Sequence, residues 1–519
     1  MQKLNRVFCV LCELACAAMA VVLVFFMATS NSPLFRNAGS SSSIFLTVGK
    51  AITQGWTPYV DIVENKGPLL FWINAIPQFV MDGPTGIFIV ELLLMVGATL
   101  LLLHATRMLS GQKHCAICVL VPAVYFAYLS ANLHGGNFGE EYNLFLTVVS
   151  IWAFVRAASG HGKRGWITPF LLGLCLMGVA LIKISDIFGV GITVVFYLIW
   201  MAQKKRSFWK DAAAFFGGAA LITVPVMGHL LANQAVGAMF EEYILSNFAH
   251  VGGESEAGFI AQRMNLMKSN RWYAMYTFES LLAGAGAVLV VVLCRAIGKN
   301  KKKNEKEKQH SAWLMIAWIV CLSVMCFAQA YVSATGYGQH LMPIAASLAA
   351  SAMLAVAALC RLIPEKADSM RLIAGVISVA AGVALITASP FRLDASHRVG
   401  SDAYEERLAY QCEFLEMIEA DKDSVFGIGM PKEWYLYNDV LPAYKCMNLV
   451  NYIFANVGQN RAEDFEAYLQ ENPITWLVVK DTLETYRGIL TDGTLDFIYE
   501  NYYLYCIDES GSRELYCLF

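Results

Sequence analysis

The stretch Gly86–Leu103 reads GIFIVELLLMVGATLLLL and contains a single charged side chain, Glu91. A run of this length and apolarity is long enough to cross the hydrocarbon core of a bilayer as a helix. Similar runs recur along the chain, so we expect membrane-spanning helices to be the repeated element of the fold. About eleven spans are predicted, at residues 8–29, 85–109, 114–131, 141–158, 166–183, 186–202, 211–233, 277–297, 311–333, 339–361 and 371–389.

The composition indicates the same class of protein. Of the 519 residues, 57% are hydrophobic and only 15% are charged, and the mean hydropathy is +0.50. A soluble domain has about 25% charged residues, so an ordinary soluble enzyme is excluded. The 30 Phe, 23 Tyr and 11 Trp exclude a disordered chain. A net charge of −3 over this length gives no general attraction to nucleic acid.

The distribution of lysine and arginine sets the orientation. A short apolar stretch, Pro68–Val80, is too short to cross a bilayer comfortably, and we expect it to lie on the surface as an interfacial helix. With the N-terminus in the cytoplasm, the lysine block at 299–308 and most other loop cations then fall inside, as the positive-inside rule requires. The sequence therefore predicts a multi-pass protein of the cytoplasmic membrane whose C-terminal segment is extracytoplasmic.

This topology divides the chain into two predicted domains. Residues 1–390 form a transmembrane domain with outside loops at 30–84 and 234–276. Residues 391–519 regain charge and read as a small α/β domain, with strands at 424–429, 474–479, 502–507 and 514–519 and a helix at 462–470. The last two strands predict a hairpin around Gly511-Ser512 in which Cys506 faces Cys517, either as a disulfide or as two free thiols.

Polar residues that are hard to explain by packing gather on the outside face. The predicted topology places four polar clusters there, in the first outside loop and in three shorter connections. Their candidate functional residues are Asp61, Glu64, Lys66, Glu140, Glu141, Tyr142, Lys183, Asp186, Tyr337 and His340. Acids, lysines and a histidine at one membrane face indicate an active site just above the lipid.

Each cluster also has a simpler interpretation. Asp61 and Glu64 are compatible with solvated loop charges near Lys66, and acids at 140 and 141 are compatible with a helix N-terminus. Lys183 and Asp186 are spaced for a local ion pair. Glu91 lies at membrane depth, where ionisable residues are costly and usually functional. The sequence assigns it no partner.

Three motifs in these clusters resemble one family. The stretch Gly55–Leu70, GWTPYVDIVENKGPLL, resembles the first-loop motif of bacterial GT-C membrane glycosyltransferases. These include protein O-mannosyltransferase-like proteins and the aminoarabinose lipid A transferases. Gly135–Tyr142, GGNFGEEY, and Tyr337–His340, YGQH, resemble later motifs of the same proteins. The resemblance covers most of the membrane part and implies a mostly α, polytopic transmembrane GT-C-type fold with a small C-terminal extracytoplasmic α/β domain.

The resemblance also implies a reaction. A family member transfers a sugar from a polyprenyl-phosphate donor to a glycan, lipid or protein acceptor of the cell envelope, with inversion. A loop carboxylate acts as base, and this role would fall to Asp61, with Glu64 or Glu140 as alternatives. Glu140 is also a candidate ligand for a divalent cation, while metal dependence is left open. Lys66, Lys183 and His340 would stabilise the leaving phosphate, and Glu141, Tyr142, Asp186 and Tyr337 would contribute to substrate binding.

One position departs from the family. Relatives carry an acid early in the first loop, and Ser41 stands at the matching position in the run Ser40–Phe45. A serine hydroxyl has no useful basicity at neutral pH. Besides an active transferase, the sequence therefore leaves open a catalytically degenerate relative. A third alternative is a carrier or flippase for a lipid-linked glycan, although the chain shows no repeated halves.

Overall fold

The computed structural model describes most of the chain. The described residues are 2–111, 114–132, 135–161, 165–248, 306–332, 337–363, 368–387, 394–447 and 461–519, with short helical pieces between 261 and 292. The predicted span 277–297 and the lysine block at 299–308 lie largely outside these residues, as does much of the predicted loop 234–276.

Helices dominate the part of the chain before residue 390. Their bounds are α1 Gln2–Met27, α2 Ser40–Thr53, α3 Pro68–Gln78, α4 Pro84–Ser110, α5 Cys115–Cys118, α6 Leu120–Asn132, α7 Gly139–Ala158, α8 Ile167–Ile182, α9 Phe188–Gln203, α10 Phe208–Ala232, α11 Val236–Met239, α12 Lys306–Val332, α13 Pro343–Cys360 and α14 Asp368–Thr387. A π-helix, Phe240–Leu245, continues α11, and 3₁₀ turns occupy Ile184–Asp186 and Gly338–Leu341.

Six described helices are long and apolar enough to cross a membrane. They cover Val7–Met27, Pro84–Ser110, Phe208–Ala232, Trp313–Tyr331, Gly338–Cys360 and Ser369–Thr387. Three shorter apolar helices, Cys115–Leu129, Ile167–Ile182 and Phe188–Gln203, match other predicted spans, and only the last extends beyond its span, by one residue. The mostly helical membrane fold is thus confirmed, while the count of eleven stays a prediction.

The chain divides into two compact units. The first contains Met1–Ala28, Ile89–Pro225 and Ala257–Leu393, and the second contains Thr29–Phe88, Val226–Glu256 and Asp394–Phe519. The second unit therefore combines the predicted C-terminal domain with parts of both predicted outside loops. Backbone hydrogen bonds link the segment 29–88 to the C-terminal segment. The N–H of Val63 donates to the carbonyl of Lys445 at 2.8 Å, and the N–H of Arg36 donates to the carbonyl of His397 at 2.7 Å.

Two helices of the second unit pack closely. The predicted surface stretch Pro68–Val80 is helix α3, which begins with a proline at its first helical position after Gly67. The sequence predicted no helix at α2, yet α2 packs against α3. Gln78 on α3 donates its side-chain amide to the carbonyl of Leu46 at 3.0 Å. A Cβ added at Gly49 would lie 2.7 Å from the backbone of Asn74, so glycine permits this approach.

The C-terminal segment forms a four-stranded sheet with short helices. The strands are β1 Val425–Ile428, β2 Trp476–Lys480, β3 Tyr502–Ile507 and β4 Arg513–Leu518, in the order β1-β2-β4-β3. The first pair is parallel and the others are antiparallel. The helices are α15 Asp402–Gln411, α16 Leu415–Ile418, α17 Glu433–Tyr437, α18 Arg461–Glu471 and α19 Asp492–Asn501, with 3₁₀ turns at Ala395–His397, Glu419–Ser424 and Leu483–Tyr486. All four predicted strands and the predicted helix at 462–470 are present within two residues.

The predicted register of the last hairpin is wrong. Cys517 pairs with Tyr503, and Cys506 pairs with Leu515, because an irregularity between Leu504 and Cys506 shifts β3 against β4. Both cysteines are free thiols. The connection is also longer than the expected two residues, since it runs from 508 to 512. Among the described residues, a disulfide joins Cys9 of α1 to Cys115 of α5.

A buried ion cluster closes this hairpin. Asp508 accepts from the backbone N–H of Ser512 at 2.7 Å and from Arg513 Nε at 2.9 Å. Arg513 also donates to Glu413 at 2.9 Å. Burial raises the pKa of Asp508, but these hydrogen bonds and those from Ser510 outweigh it and lower the pKa to about 2.

Stability should therefore depend on the ionised form of Asp508. A group whose pKa is lower in the folded state stabilises the fold above its ordinary pKa, and this stabilisation is lost as pH falls through the folded value. We expect thermal stability of the whole chain in detergent to fall between about pH 4 and pH 2. Asp508→Asn should lower stability at neutral pH by about 3 kcal/mol and flatten this acid limb. Asp492→Asn is the control because that carboxylate is 87% exposed; an equal effect of both variants would contradict the account.

The α2–α3 contact gives a second test. We expect Gly49→Ala to lower the thermal stability of the detergent-solubilised chain, because the added methyl group would clash with backbone atoms of α3. Gly228→Ala is the matched control: Gly228 lies in α10, where an added Cβ meets nothing within 4 Å. Alanine is the better helix former, so Gly228→Ala should be neutral or stabilising. Equal stability of the two variants would show that the close approach is absent.

Candidate active site

Lys183 lies at the centre of a cluster of ionisable side chains in the first unit. It directly follows α8, and its ammonium lies 2.5 Å from Glu140 Oε1, on the first turn of α7. Asp186, in the 3₁₀ turn after Lys183, lies 3.7 Å away. His340, in the turn before α13, places Nδ1 2.9 Å from the same Glu140 oxygen and 3.4 Å from the ammonium. Three connections of the helical unit thus converge on one lysine.

Asn143 completes the cluster. It lies one helical turn after Glu140 on α7, and its side-chain amide donates to Asp186 Oδ2 at 3.1 Å. The same amide lies 3.5 Å from the carbonyl of Lys183. Residues three apart on a helix share a face, so this position follows from that of Glu140. We refer below to Glu140, Asn143, Lys183, Asp186 and His340 as the lysine cluster.

The lysine cluster is largely withdrawn from solvent. The side chains of Lys183, Glu140 and Asp186 are 15%, 7% and 4% exposed. Burial raises the pKa of Glu140, but Lys183 and His340 outweigh it and hold this pKa well below its usual range. Because the Glu140 carboxylate accepts from His340 Nδ1, a neutral imidazole carries its proton there, and Nε2 is the acceptor nitrogen. The cluster therefore combines an ionised carboxylate, a buried cation and an oriented imidazole.

A tight turn brings Glu140 to this position. Gly135, Gly136 and Asn137 all have positive φ, at 105°, 88° and 58°. Glycine and asparagine adopt this conformation most readily, which explains the sequence Gly-Gly-Asn before α7. Glu141 accepts from the backbone N–H of Asn137 at 2.8 Å.

Glu141 and Tyr142, expected to bind substrate, contact the protein itself. Glu141 is buried and its side chain is hydrogen-bonded to that of Glu91 on α4. The hydroxyl of Tyr142 donates to Asn137 Oδ1 at 2.6 Å. The adjacent glutamates 140 and 141 thus have separate partners, and the structure supplies the partner of Glu91 that the sequence did not.

The first-loop motif lies in the second unit and is held by Tyr59. This residue has a φ of 71°, is buried, and packs on Phe71 with 5.5 Å between ring centroids. Burial raises the pKa of Tyr59 well above its usual value, and its hydroxyl donates to the carbonyl of Lys66 at 2.6 Å. Asp61 is exposed and accepts from the backbone N–H of Thr57 at 2.6 Å.

The remaining predicted residues have simpler surroundings. Lys66 Nζ lies 2.7 Å from Asn65 Oδ1 and 3.9 Å from Glu64. Ser41 is half-buried in the first turn of α2. Tyr337 is 58% exposed, with its ring centroid 6.2 Å from that of His340. Across the residues that the structure describes, no three His, Cys, Asp or Glu side chains are grouped as metal ligands.

Comparison with known proteins identifies the fold. No protein-family model and no curated protein sequence matches the chain. Among solved structures, it matches ArnT from Cupriavidus metallidurans in the apo state with a TM-score of 0.57 and 13% identity, over 97% of both chains. The fold is of the GT-C type. ArnT bound to undecaprenyl phosphate gives a TM-score of 0.55, with the same identity and coverage.

A larger archaeal protein also matches this chain in structure. The match to the oligosaccharyltransferase AglB from Archaeoglobus fulgidus, in complex with an inhibitory peptide and a dolichol-phosphate, has a TM-score of 0.50 and 12% identity. It covers 98% of this chain and 74% of AglB. The GT-C-type fold predicted from the first-loop motif is therefore confirmed.

The lysine cluster predicts a measurable coupling. Lys183→Met leaves the buried carboxylates of Glu140 and Asp186 without their ammonium, so we expect a loss of stability of about 3–5 kcal/mol. Adding Glu140→Gln should recover part of the loss because one of these charges is removed. A double-mutant cycle, measured by thermal unfolding of the full chain in detergent, gives the coupling free energy between positions 140 and 183. Lys210→Met removes an exposed lysine as control, and strictly additive effects at 140 and 183 would contradict the cluster.

Proposed function

We propose that the chain is an inverting membrane glycosyltransferase that moves a sugar from a polyprenyl-phosphate donor to a glycan, lipid or protein acceptor of the cell envelope. The observation that supports it most is the buried Lys183 ammonium between two carboxylates, in a chain with a GT-C-type fold. Two solved structures with this fold contain a polyprenyl or dolichyl phosphate by their descriptions. The proposed orientation has a cytoplasmic N-terminus and an extracytoplasmic C-terminal segment.

The chemistry requires a cation for the leaving group. When the bond from the anomeric carbon to the phosphate oxygen breaks, negative charge develops on the lipid phosphate. A positioned ammonium stabilises this charge in a site with little water. Lys183 has this character, because Glu140 and Asp186 hold it and His340 lies beside it. Lys66 in the first loop is the second candidate, and Tyr337 lies near His340 as a further candidate substrate contact.

The acceptor hydroxyl requires a base. We assign this role to Asp61, which is exposed and whose carboxylate is oriented by the backbone N–H of Thr57. Glu140 is less suited, since Lys183 and His340 hold its pKa well below the usual range and a good base has a pKa near the working pH. Glu64 is 14% exposed and close to Lys66, which makes it the second choice for the base. Glu140 then serves to orient the lysine.

One observation favours a second candidate function. Ser41 stands in the first turn of α2, where the resembling enzymes carry an acid. A degenerate relative that binds the lipid donor without transferring its sugar would have this substitution. The two functions differ in turnover and not in donor binding, so one assay separates them.

Donor consumption by the purified full chain tests the proposal. Incubated with a panel of polyprenyl-phosphate sugars and followed by mass spectrometry, the protein should release polyprenyl phosphate from one of them. Asp61→Asn should slow this release by about 10²–10⁴-fold, and Lys183→Met by about 10²–10³-fold. The matched control is Asp82→Asn, an exposed aspartate of the same predicted loop, which should retain full activity.

The other outcomes are also informative. Donor binding without release, restored to turnover by Ser41→Asp, would establish the degenerate relative. Full activity of Asp61→Asn together with loss in Glu140→Gln would move the base to Glu140. If the protein neither binds nor consumes any donor of the panel, the proposed transferase function is overturned.

A further inference from the structure

Glu91 and Glu141 form a buried pair of carboxyl groups that the proposed chemistry does not use. Glu91 lies on the membrane helix α4 and is 0% exposed, and Glu141 on α7 is 1% exposed. Both carboxyl groups lie beside the backbone of Gly136 and Asn137, and their side chains are hydrogen-bonded to each other. An ionised carboxylate is an acceptor only, so a hydrogen bond between two carboxyl groups requires that one of them is protonated.

Both members of the pair hold the turn that carries Glu140. Glu141 accepts from the backbone N–H of Asn137 at 2.8 Å. Glu91 Oε1 fills the space beside Gly136, where an added Cβ would lie only 2.3 Å from it. Gly136 and Asn137 both have positive φ, so this backbone needs support from outside the turn. Glu140, whose carboxylate binds Lys183, lies four positions after Gly136.

We propose that Glu91 is a positioning residue that shares one proton with Glu141 and, through it, fixes the Gly135–Phe138 turn and the position of Glu140. The consequence for catalysis rests on the proposed function, while the shared proton does not. Two buried carboxyl groups that are hydrogen-bonded to each other do not both ionise at neutral pH. Loss of the shared proton at high pH would place two negative charges side by side and release the turn.

The surroundings are consistent with a pair that holds a single negative charge. Among the described residues, Tyr125 from α6 and Tyr142 from α7 are titratable groups that interact with its charge. Tyr142 also donates to Asn137 Oδ1, so it supports the same turn. Ala28, directly after α1, places its methyl group beside Gly136.

Infrared spectroscopy of the full chain tests the shared proton directly, since a protonated carboxyl group has a carbonyl stretch distinct from that of a carboxylate. At neutral pH, we expect one protonated carboxyl signal in the parent protein that disappears in Glu91→Gln. Glu13→Gln is the matched control: Glu13 is also a membrane-helix glutamate, but it forms an ion pair with Arg107, so its loss should leave the signal intact. An unchanged signal in Glu91→Gln would overturn the proposal even if the protein transfers no sugar.

Activity then tests the positioning role. Glutamine keeps a hydrogen bond to Glu141 but has no proton that titrates. At neutral pH, Glu91→Gln should therefore retain kcat/KM within about threefold. Its activity should also persist to a pH about one unit higher than that of the parent protein. Glu91→Leu leaves Glu141 without its partner and should lower kcat/KM by at least about tenfold. A purely packing role predicts no change of the pH profile in Glu91→Gln, and that result would overturn the positioning role.

Discussion

A lysine ammonium at the junction of two apolar helices has to be neutralised, and the helical unit is arranged around this requirement. Lys183 directly follows α8, and its charge is balanced by Asp186 in the next turn and by Glu140 from α7. Burying a charge without a partner costs several kcal/mol, so these contacts constrain where the connections before α7, after α8 and before α13 lie. The same constraint leaves a positive group surrounded by little water. In the function proposed above, this ammonium stabilises the charge that develops on the leaving phosphate.

In the second unit, side-chain contacts hold the irregular first-loop motif, Gly55–Leu70, in a fixed conformation. Tyr59 adopts a left-handed conformation that is uncommon for a large side chain. Its burial against Phe71 and its hydrogen bond to the Lys66 carbonyl stabilise that conformation. Strain of this type is common at functional sites, where surrounding contacts maintain it. These contacts give a physical reason for the tyrosine at position 59 of the first-loop motif.

Sequence patterns predict the elements whose formation depends on nearby residues in the chain. Apolar length identified the membrane helices, short segments in the charge-bearing C-terminal part identified the four strands, and the short apolar stretch from Pro68 identified α3. They do not predict the features that depend on tertiary contacts. The serine-rich start of α2 has no strong helix signal, and its helix is stabilised by α3. The sequence places the adjacent glutamates 140 and 141 in one candidate site, yet neighbouring helical positions are about 100° apart, so one contacts Lys183 and the other Glu91. A local irregularity of β3 moved Cys506 away from Cys517, and such shifts leave little trace in the sequence.

We propose that Lys183 binds the phosphate of a lipid donor. A cryo-electron microscopy structure of the full chain in a lipid nanodisc with undecaprenyl phosphate tests it most directly. The account predicts phosphate density within hydrogen-bond reach of Lys183 Nζ, with Glu140 and Asp186 still in contact with that ammonium. Phosphate density bound elsewhere, with the lysine cluster unchanged and closed to the lipid, would contradict it.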